Sequence, residues 1–344
     1  MKLSLAIAGL FALATAATPT PTRDSEERIP LAKRATVSEI ANLGYATQNG
    51  GTTGGSGGTV TTVSTLAQFT AAVSEKNPAP AIVVVKGVIS GDAKVRVGSN
   101  KTIIGLPGAG FNGVGLHFRR QSNLILRNIV SSFVEAHNGD GLTIDGSSNV
   151  WVDHCEFYST LAKDKDFYDG LVDISHGSEW VTISHATVEN ELTDWRSTYF
   201  HDHWKNSLVG HSDSNGSQDS GHLHVTYANN YWKDCGSRAP LIRFGTAHIY
   251  NSYYENMSTA INTRMGAQVL VQSNAFKNVT EPLLSQYSKQ VGYAVEIDND
   301  FGGANNTAPT GTLTASSPPY SYSLLGSSNV AATVPKQAGA ILSF

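Results

Sequence analysis

Two short segments carry acids at spacings that could hold a cation. They are Asn138-Gly-Asp140 and Asp169-Gly-Leu-Val-Asp173, each set just ahead of a β-favouring run. In an extended strand residues four apart share a face, so Asp169 and Asp173 can act on one ligand. These side chains all offer oxygen, the donor of which calcium takes about six to eight. Solvated turn carboxylates fit the same spacing, and the EF-hand pattern is absent. A second cluster is cationic: Ser237-Arg238-Ala-Pro240-Leu-Ile-Arg243, preceded by Lys205. A proline between two arginines predicts a rigid turn that aims them, and a guanidinium can meet a carboxylate with two parallel hydrogen bonds. Surface arginines paired with nearby acids are the plain alternative.

Other patterns fail on context. Gly108-Ala-Gly-Phe-Asn-Gly113 has dinucleotide-loop spacing, but it leads into Val-Gly-Leu-His-Phe, a strand pattern where that loop needs a helix. Gly54-Gly-Ser-Gly-Gly58 spells a nucleophile elbow inside a glycine-rich run with no strand-to-helix context, and reads as a loop. His201-Asp-His203 suggests zinc only weakly, because histidines in alternating strands more often hydrogen-bond in a core or face solvent.

The elements that position these residues repeat. Short runs such as Ser122-Asn-Leu-Ile-Leu-Arg-Asn-Ile129, Ser148-Asn-Val-Trp-Val-Asp-His154 and Ser178-Glu-Trp-Val-Thr-Ile-Ser-His185 begin near Ser-Asn or Gly and alternate apolar with polar residues. Asn229-Asn-Tyr-Trp232, Asn251-Ser-Tyr-Tyr254 and Ser273-Asn-Ala-Phe276 align without gaps, each 22 residues after the last. A fixed period of this size signals stacked units. No amphipathic helix fits within a period, so helical and leucine-rich repeats fit poorly. The expected fold is all-β, a right-handed single-stranded parallel β-helix whose coils each supply three short strands. Strand-end asparagines could form ladders along it. From His154 to His185 is 31 residues and from there to Asn229 is 44, either two coils or one with a long insert. Extra length in a solenoid goes into loops on the binding side, which directs attention to the inserts near 160–170 and 190–220.

Composition bounds the function. The 344 residues are 15% charged and carry a formal charge of −4, which offers no global attraction to nucleic acid or an anionic membrane. Residues 1–17 read as a secretory signal, with Lys2, an apolar stretch from Leu3 to Ala14 and the small-residue site Ala14-Thr-Ala16. Residues 18–34 read as a pro-segment ending in the dibasic Lys33-Arg34, which leaves 35–344 as a single secreted β-helix domain. Removing 1–34 leaves 19 basic against 25 acidic residues, a charge of −6. No other apolar run approaches the ~20 residues that span a bilayer. Export agrees with the glycosylation sequons at Asn100, Asn215, Asn256, Asn278 and Asn305. It also permits a Cys155–Cys235 disulfide, with two buried thiols as the equal alternative.

With these residues in view, the chain resembles the extracellular pectate lyases of parallel β-helix polysaccharide lyase family 1, especially the fungal type. Gly44-Tyr-Ala-Thr-Gln-Asn-Gly-Gly-Thr-Thr-Gly-Gly55, Val150-Trp-Val-Asp-His154, Asp169-Gly-Leu-Val-Asp173 and Arg238-Ala-Pro-Leu-Ile-Arg243 carry the likeness, over about 42–280. The resemblance implies calcium-dependent β-elimination of polygalacturonate in a groove formed by loops on one side, by a monomer. It implies calcium at Asp140, Asp169 and Asp173, substrate binding by Lys205 and Arg243, and proton abstraction from carbon 5 of a galacturonate by Arg238. Asp153 and His154 are expected to be structural. Asn138 departs from the pattern, since many members carry an acid there, and its neutral amide should weaken the resting calcium site. Asp169 stands where some members have Glu. Pectin lyases replace calcium acids with arginine, whereas Asp169 and Asp173 are intact here, which favours the demethylated substrate. A hydrolytic polygalacturonase is disfavoured by the lack of any Asp-Asp pair. A non-catalytic carbohydrate-binding β-helix would not need Arg238 with three aspartates.

Overall fold

In the computed structural model, residues 35–184 and 198–344 are described. The signal and pro-segment expected over 1–34, and the first part of the 190–220 insert, lie outside the described residues. Residues Ala35–Phe344 cluster as one compact unit.

A single residue in left-handed conformation bends the chain between strands at each coil. Asn128, His154, Asn229, Asn251 and Ser273 occupy it with φ between 51° and 57°. Asparagine tolerates this region better than most residues, which is why the run ends recur as Asn. Every strand then lies parallel to its counterpart one coil on, and ten such strands form one continuous sheet from Thr59–Val63 to Tyr293–Ile297. The remaining strands form a second hydrogen-bonded array of two faces. Long strands such as Gly110–Arg119 and Tyr253–Arg264 bend across both, pairing one neighbour with their first half and another with their second. The result is the expected parallel β-helix.

The 22-residue period places like side chains above one another. Inside, Phe157, Phe200, Trp232, Tyr254 and Phe276 stack ring on ring, with centroids 3.9–6.1 Å apart and planes within 14°. Each such pair contributes about 0.5–1.5 kcal/mol beyond burial. Tyr199, Tyr231 and Tyr253 repeat the arrangement on the outside. Ser184 pairs with Asp153 on one side and Ala228 on the other, so the 44-residue interval is one coil with a long insert.

Ladders also form among the turn side chains. Asn278 donates to Asn256 and Asn256 to Asp234, each at 3.0 Å. The thiols of Cys155 and Cys235 are free and buried. Cys155 Sγ faces the Leu126 carbonyl and Cys235 Sγ the Asn206 side chain, each filling its own niche in the coil. The disulfide is therefore not formed.

The outer side of the ten-stranded sheet is covered. The N-terminal segment crosses it, with Tyr45 and Ala46 backbone N–H groups donating to Thr226 and Thr182 hydroxyls. Gly44 allows the close approach, because at φ 67° a Cβ would lie 2.5 Å from the Thr182 hydroxyl. Helix Leu66–Ala72 caps the first coils through Phe69, whose ring meets Phe111 at 4.6 Å. Helix Ser327–Thr333 packs Val330 near Tyr231, Tyr253 and Ala275 on another outer face. No described helix is long and apolar enough to cross a membrane. The face built from Gly110–Arg119, Leu142–Asp145, Val172–Ser175, Ser207–Val209 and Leu241–Arg243 carries the acids and arginines singled out above.

Candidate active site

Register aligns the outward residues of that face into rows along the helix axis. His117, Thr143, Asp173 and Leu208 stand in one row, and Arg243 and Arg264 stand side by side in the next. Asp140 and Asp169 lie just before their strands, at the edge where the chain turns onto the face.

Asp140 is buried; one carboxylate oxygen accepts from the Thr143 hydroxyl at 2.6 Å and the other from the Gly170 backbone at 2.9 Å. Asp173 accepts from the Leu208 backbone N–H at 3.1 Å. Both carboxylates close on Gly170, where a Cβ would lie 2.4 Å from Asp173 Oδ1 and 2.9 Å from Asp140 Oδ1. Burial pushes the Asp140 carboxyl up to about 6, with the Asp169 charge adding to it. Burial likewise raises Asp173, helped by the Asp140 charge and opposed by Arg238. Adjacent anions held together this way call for a positive charge between them.

Asp169 is anchored through its backbone. His203, at the heart of the strand Tyr199–Lys205, donates from Nε2 to the Asp169 carbonyl at 2.6 Å and accepts the Ser159 hydroxyl at Nδ1. Burial takes this imidazole down to about 4, so it is neutral, consistent with one ring nitrogen donating and the other accepting. Lys205 closes the same strand, outside the insert, and its ammonium sits 3.2 Å from both Asp169 and Asp166.

The two arginines of the turn differ. Arg243 pairs with Asp213 at 2.6 Å and donates to the Gly210 carbonyl at 2.9 Å. Arg238 is half-buried at φ 59°, its carbonyl accepting from Ser207 at 2.7 Å, and among the described residues no carboxylate lies within ion-pair distance of its guanidinium. The paired-arginine alternative thus holds for Arg243 alone.

Other site expectations fall elsewhere. Asn138 donates its amide to Asp92, one coil earlier. Asp153 is fully buried and bonded to Arg127 at 2.7 Å, with Arg127 5.0 Å from the Trp151 ring centroid, a structural arrangement on the ten-stranded sheet. Asn256, Asn278 and Asn305 are exposed, whereas Asn100 and Asn215 are half-buried with amides bonded to the Pro78 carbonyl and Asp219 carboxylate. Sequence reasoning missed His203, Thr143, Gly170 and Arg264. Arg264 follows Arg243 by 21 residues, close to one period, so the repeat could have flagged it. Burial and the charges of Arg243 and Arg238 bring its guanidinium down to about 10.

Comparison with known proteins decides the family. The family model described as pectate lyase matches residues 4–342. The chain belongs to the pectate lyase family. It is 50% identical to pectate lyase plyB of Emericella nidulans over 333 residues, covering 96% of this chain and 98% of that one. It is 54% identical over 344 residues to a probable pectate lyase A of Neosartorya fischeri, covering 99% and 98%. Among solved structures, a pectate lyase from Bacillus sp. N165, determined in complex with trigalacturonate, superposes with a TM-score of 0.72 at 31% identity, over 87% of this chain and 98% of that one.

Proposed function

We propose that this chain is a secreted, calcium-dependent enzyme that cleaves α-1,4-linked polygalacturonate of plant cell walls by β-elimination, leaving 4,5-unsaturated oligogalacturonides. The observation that carries the reading is the convergence of the Asp140 and Asp173 oxygens on Gly170, on the same face as an arginine that has no carboxylate partner among the described residues. The donor set fits calcium: hard carboxylate oxygens, crowded, partly desolvated and short of positive charge. Asp140, Asp169 and Asp173 would hold the ion.

Elimination starts from a sugar whose own carboxylate makes carbon 5 a poor acid. When bound, calcium supplies positive charge beside that carboxylate and stabilises the charge developing in the transition state. Lys205 and Arg243 add fixed cations for sugar carboxylates, and Asp213 holds the Arg243 guanidinium in place through Nε. Arg238 takes the carbon 5 proton. Arg243 and Arg264, side by side on neighbouring strands, add positive charge to the same face. The C5–H electron pair becomes the C4–C5 double bond as the C4–O4 bond breaks, and the departing oxygen takes a proton from solvent water.

One assay tests this. Incubating the mature protein with polygalacturonate and with highly methylated pectin, with and without a chelator, should give ultraviolet-absorbing unsaturated ends from polygalacturonate only when calcium is present. Chelator-insensitive cleavage, or new reducing ends without absorbance, overturns it. A preference for the methylated polymer would mark a pectin lyase.

A further inference from the structure

Where the later coils bend from one face to the next, a cleft crosses them beside two of the sequons. Strand Tyr199–Lys205 pairs with Tyr231–Ser237 so that Trp204 stands opposite Gly236, between the pairs His203 with Cys235 and Lys205 with Ser237. Strands Tyr253–Arg264 and Ala275–Leu284 continue the array, with Ser258 opposite Thr280 between the pairs Met257 with Val279 and Thr259 with Glu281. Cys235, Met257 and Val279 are buried, which turns Gly236, Ser258 and Thr280 outward as a floor of small residues. Trp204 and Leu161 bound one end of the cleft over this floor, Asn256 and Asn278 line it as well, and its volume is about 530 Å³. A volume of that order suits a small ligand. Trp204 is 40% exposed. Its indole N–H donates to the Lys163 carbonyl at 2.9 Å, and its ring leans over Gly236, where a Cβ would lie 2.9 Å from ring atom Cε3. A large apolar ring is thus held in place with part of its surface open.

The wall of the cleft names the occupant. Asn256-Met-Ser258 is a sequon whose asparagine and serine are both exposed. Asn256 sits in its turn at φ 55°, fixed by the ladder in which its amide nitrogen donates to Asp234 and its oxygen accepts from Asn278. Donation to Asp234 aims that nitrogen toward the strand that carries Gly236. Two strand steps, about 10 Å, separate Asn256 from the strand of Trp204, and the lean of the indole over Gly236 shortens the gap. Asn278 stands one step farther away. We propose that Asn256 carries an N-linked glycan whose first sugars lie in this cleft, with a pyranose face against Trp204. The proposal rests on the export reading above. In the secretory pathway the amide nitrogen attacks the anomeric carbon of a lipid-diphosphate-linked oligosaccharide. The N–C1 bond forms, the C1–O bond breaks with its electron pair going to the diphosphate, and the nitrogen gives up one proton. One N–H remains, enough to keep the bond to Asp234. The C–H face of the sugar covers the indole while its hydroxyls meet the hydroxyl-bearing floor.

The test uses the full chain secreted from a fungal host. Peptide mass mapping should find sugar on Asn256. Brief oxidation with N-bromosuccinimide, mapped at Trp204, should then run about fivefold more slowly in wild type than in Ser258→Ala, which loses the sequon but keeps Asn256 and its ladder. Fivefold corresponds to ~1 kcal/mol, the scale of a ring-stacking contact. Thr280→Ala removes the neighbouring sequon and should leave the rate at the wild-type value. Asn256→Gln gives the same comparison should Ser258→Ala fold poorly. A bare Asn256 on exported protein, or equal rates in wild type and Ser258→Ala, overturns the proposal. An equal rise in Thr280→Ala would show general shielding by any glycan and overturns the contact too. Should the natural leader fail to export the chain, the export reading fails, and the same mapping on protein sent out behind a borrowed leader judges the cleft by the same outcomes.

Discussion

At the scale of single residues, what separates Arg238 from Arg243 is their company. Arg243 is held in place by Asp213 at 2.6 Å, while Arg238 has no carboxylate within ion-pair reach among the described residues. A guanidinium without a carboxylate of its own can meet a substrate atom directly, whereas one held by an acid is fixed where that acid places it. Arg238→Lys should therefore lower kcat on polygalacturonate about a hundredfold or more, the scale of losing one preorganised transition-state contact. Its melting temperature and calcium affinity should match wild type, and retained turnover would show the base to be another group. The acids and arginines were legible in the sequence because their residue types are rare within strand patterns. Their partners were not. The Asp213–Arg243 pair and the His203–Asp169 contact join residues 30 and 34 apart, through loops whose paths no local spacing records. The Asn138–Asp92 bond depends on a register shift between Ser90 and Ala93 that lifts Asp92 toward the next coil.

At the scale of elements, the three aligned segments around Trp232, Tyr254 and Phe276 were the most legible part of the fold, because in-register stacking forces the same residue class at the same phase of each coil. The coil bearing the long insert was not, since a loop of any length can close between two strands that remain stacked. Trp232 lies at the middle of the inner ring stack, 3.9 Å from Phe200 and 6.1 Å from Tyr254, with its indole N–H buried and without an acceptor among the described residues. Trp232→Ala should cost about 3–5 kcal/mol by cavity formation in mid-solenoid. Trp232→Phe keeps the stack and removes the orphan donor, so it should cost under about 1.5 kcal/mol. Denaturant midpoints for the two variants check this, and equal losses would mean that the ring stack contributes less than simple volume.

At the scale of the whole molecule, a protein of net negative charge is asked to bind a polyanion, and the solution lies in distribution rather than sum. Two faces are covered by the chain's own segments, and the third gathers Lys94, Arg96, Lys205, Arg238, Arg243 and Arg264 around a few acids that a cation can neutralise. Those acids tie global stability to pH. Without calcium, the native Asp140 carboxyl holds its proton up to about 6, whereas an unfolded chain releases it near 3.8. Between these values the native state binds more protons than the unfolded one, so this group's contribution to stability falls as pH rises, by on the order of 3 kcal/mol in total. Asp173 acts in the same direction. On the calcium site proposed above, the ion would bind only the ionised acids, so its stabilising effect should grow through the same window. The rise in melting temperature on adding millimolar calcium should be small at pH 4.5 and reach its plateau above pH 7. Because other groups titrate over this range, the calcium-dependent difference is the quantity to measure at each pH. A difference that stays constant from pH 4.5 to 7 would place the ion away from Asp140 and Asp173.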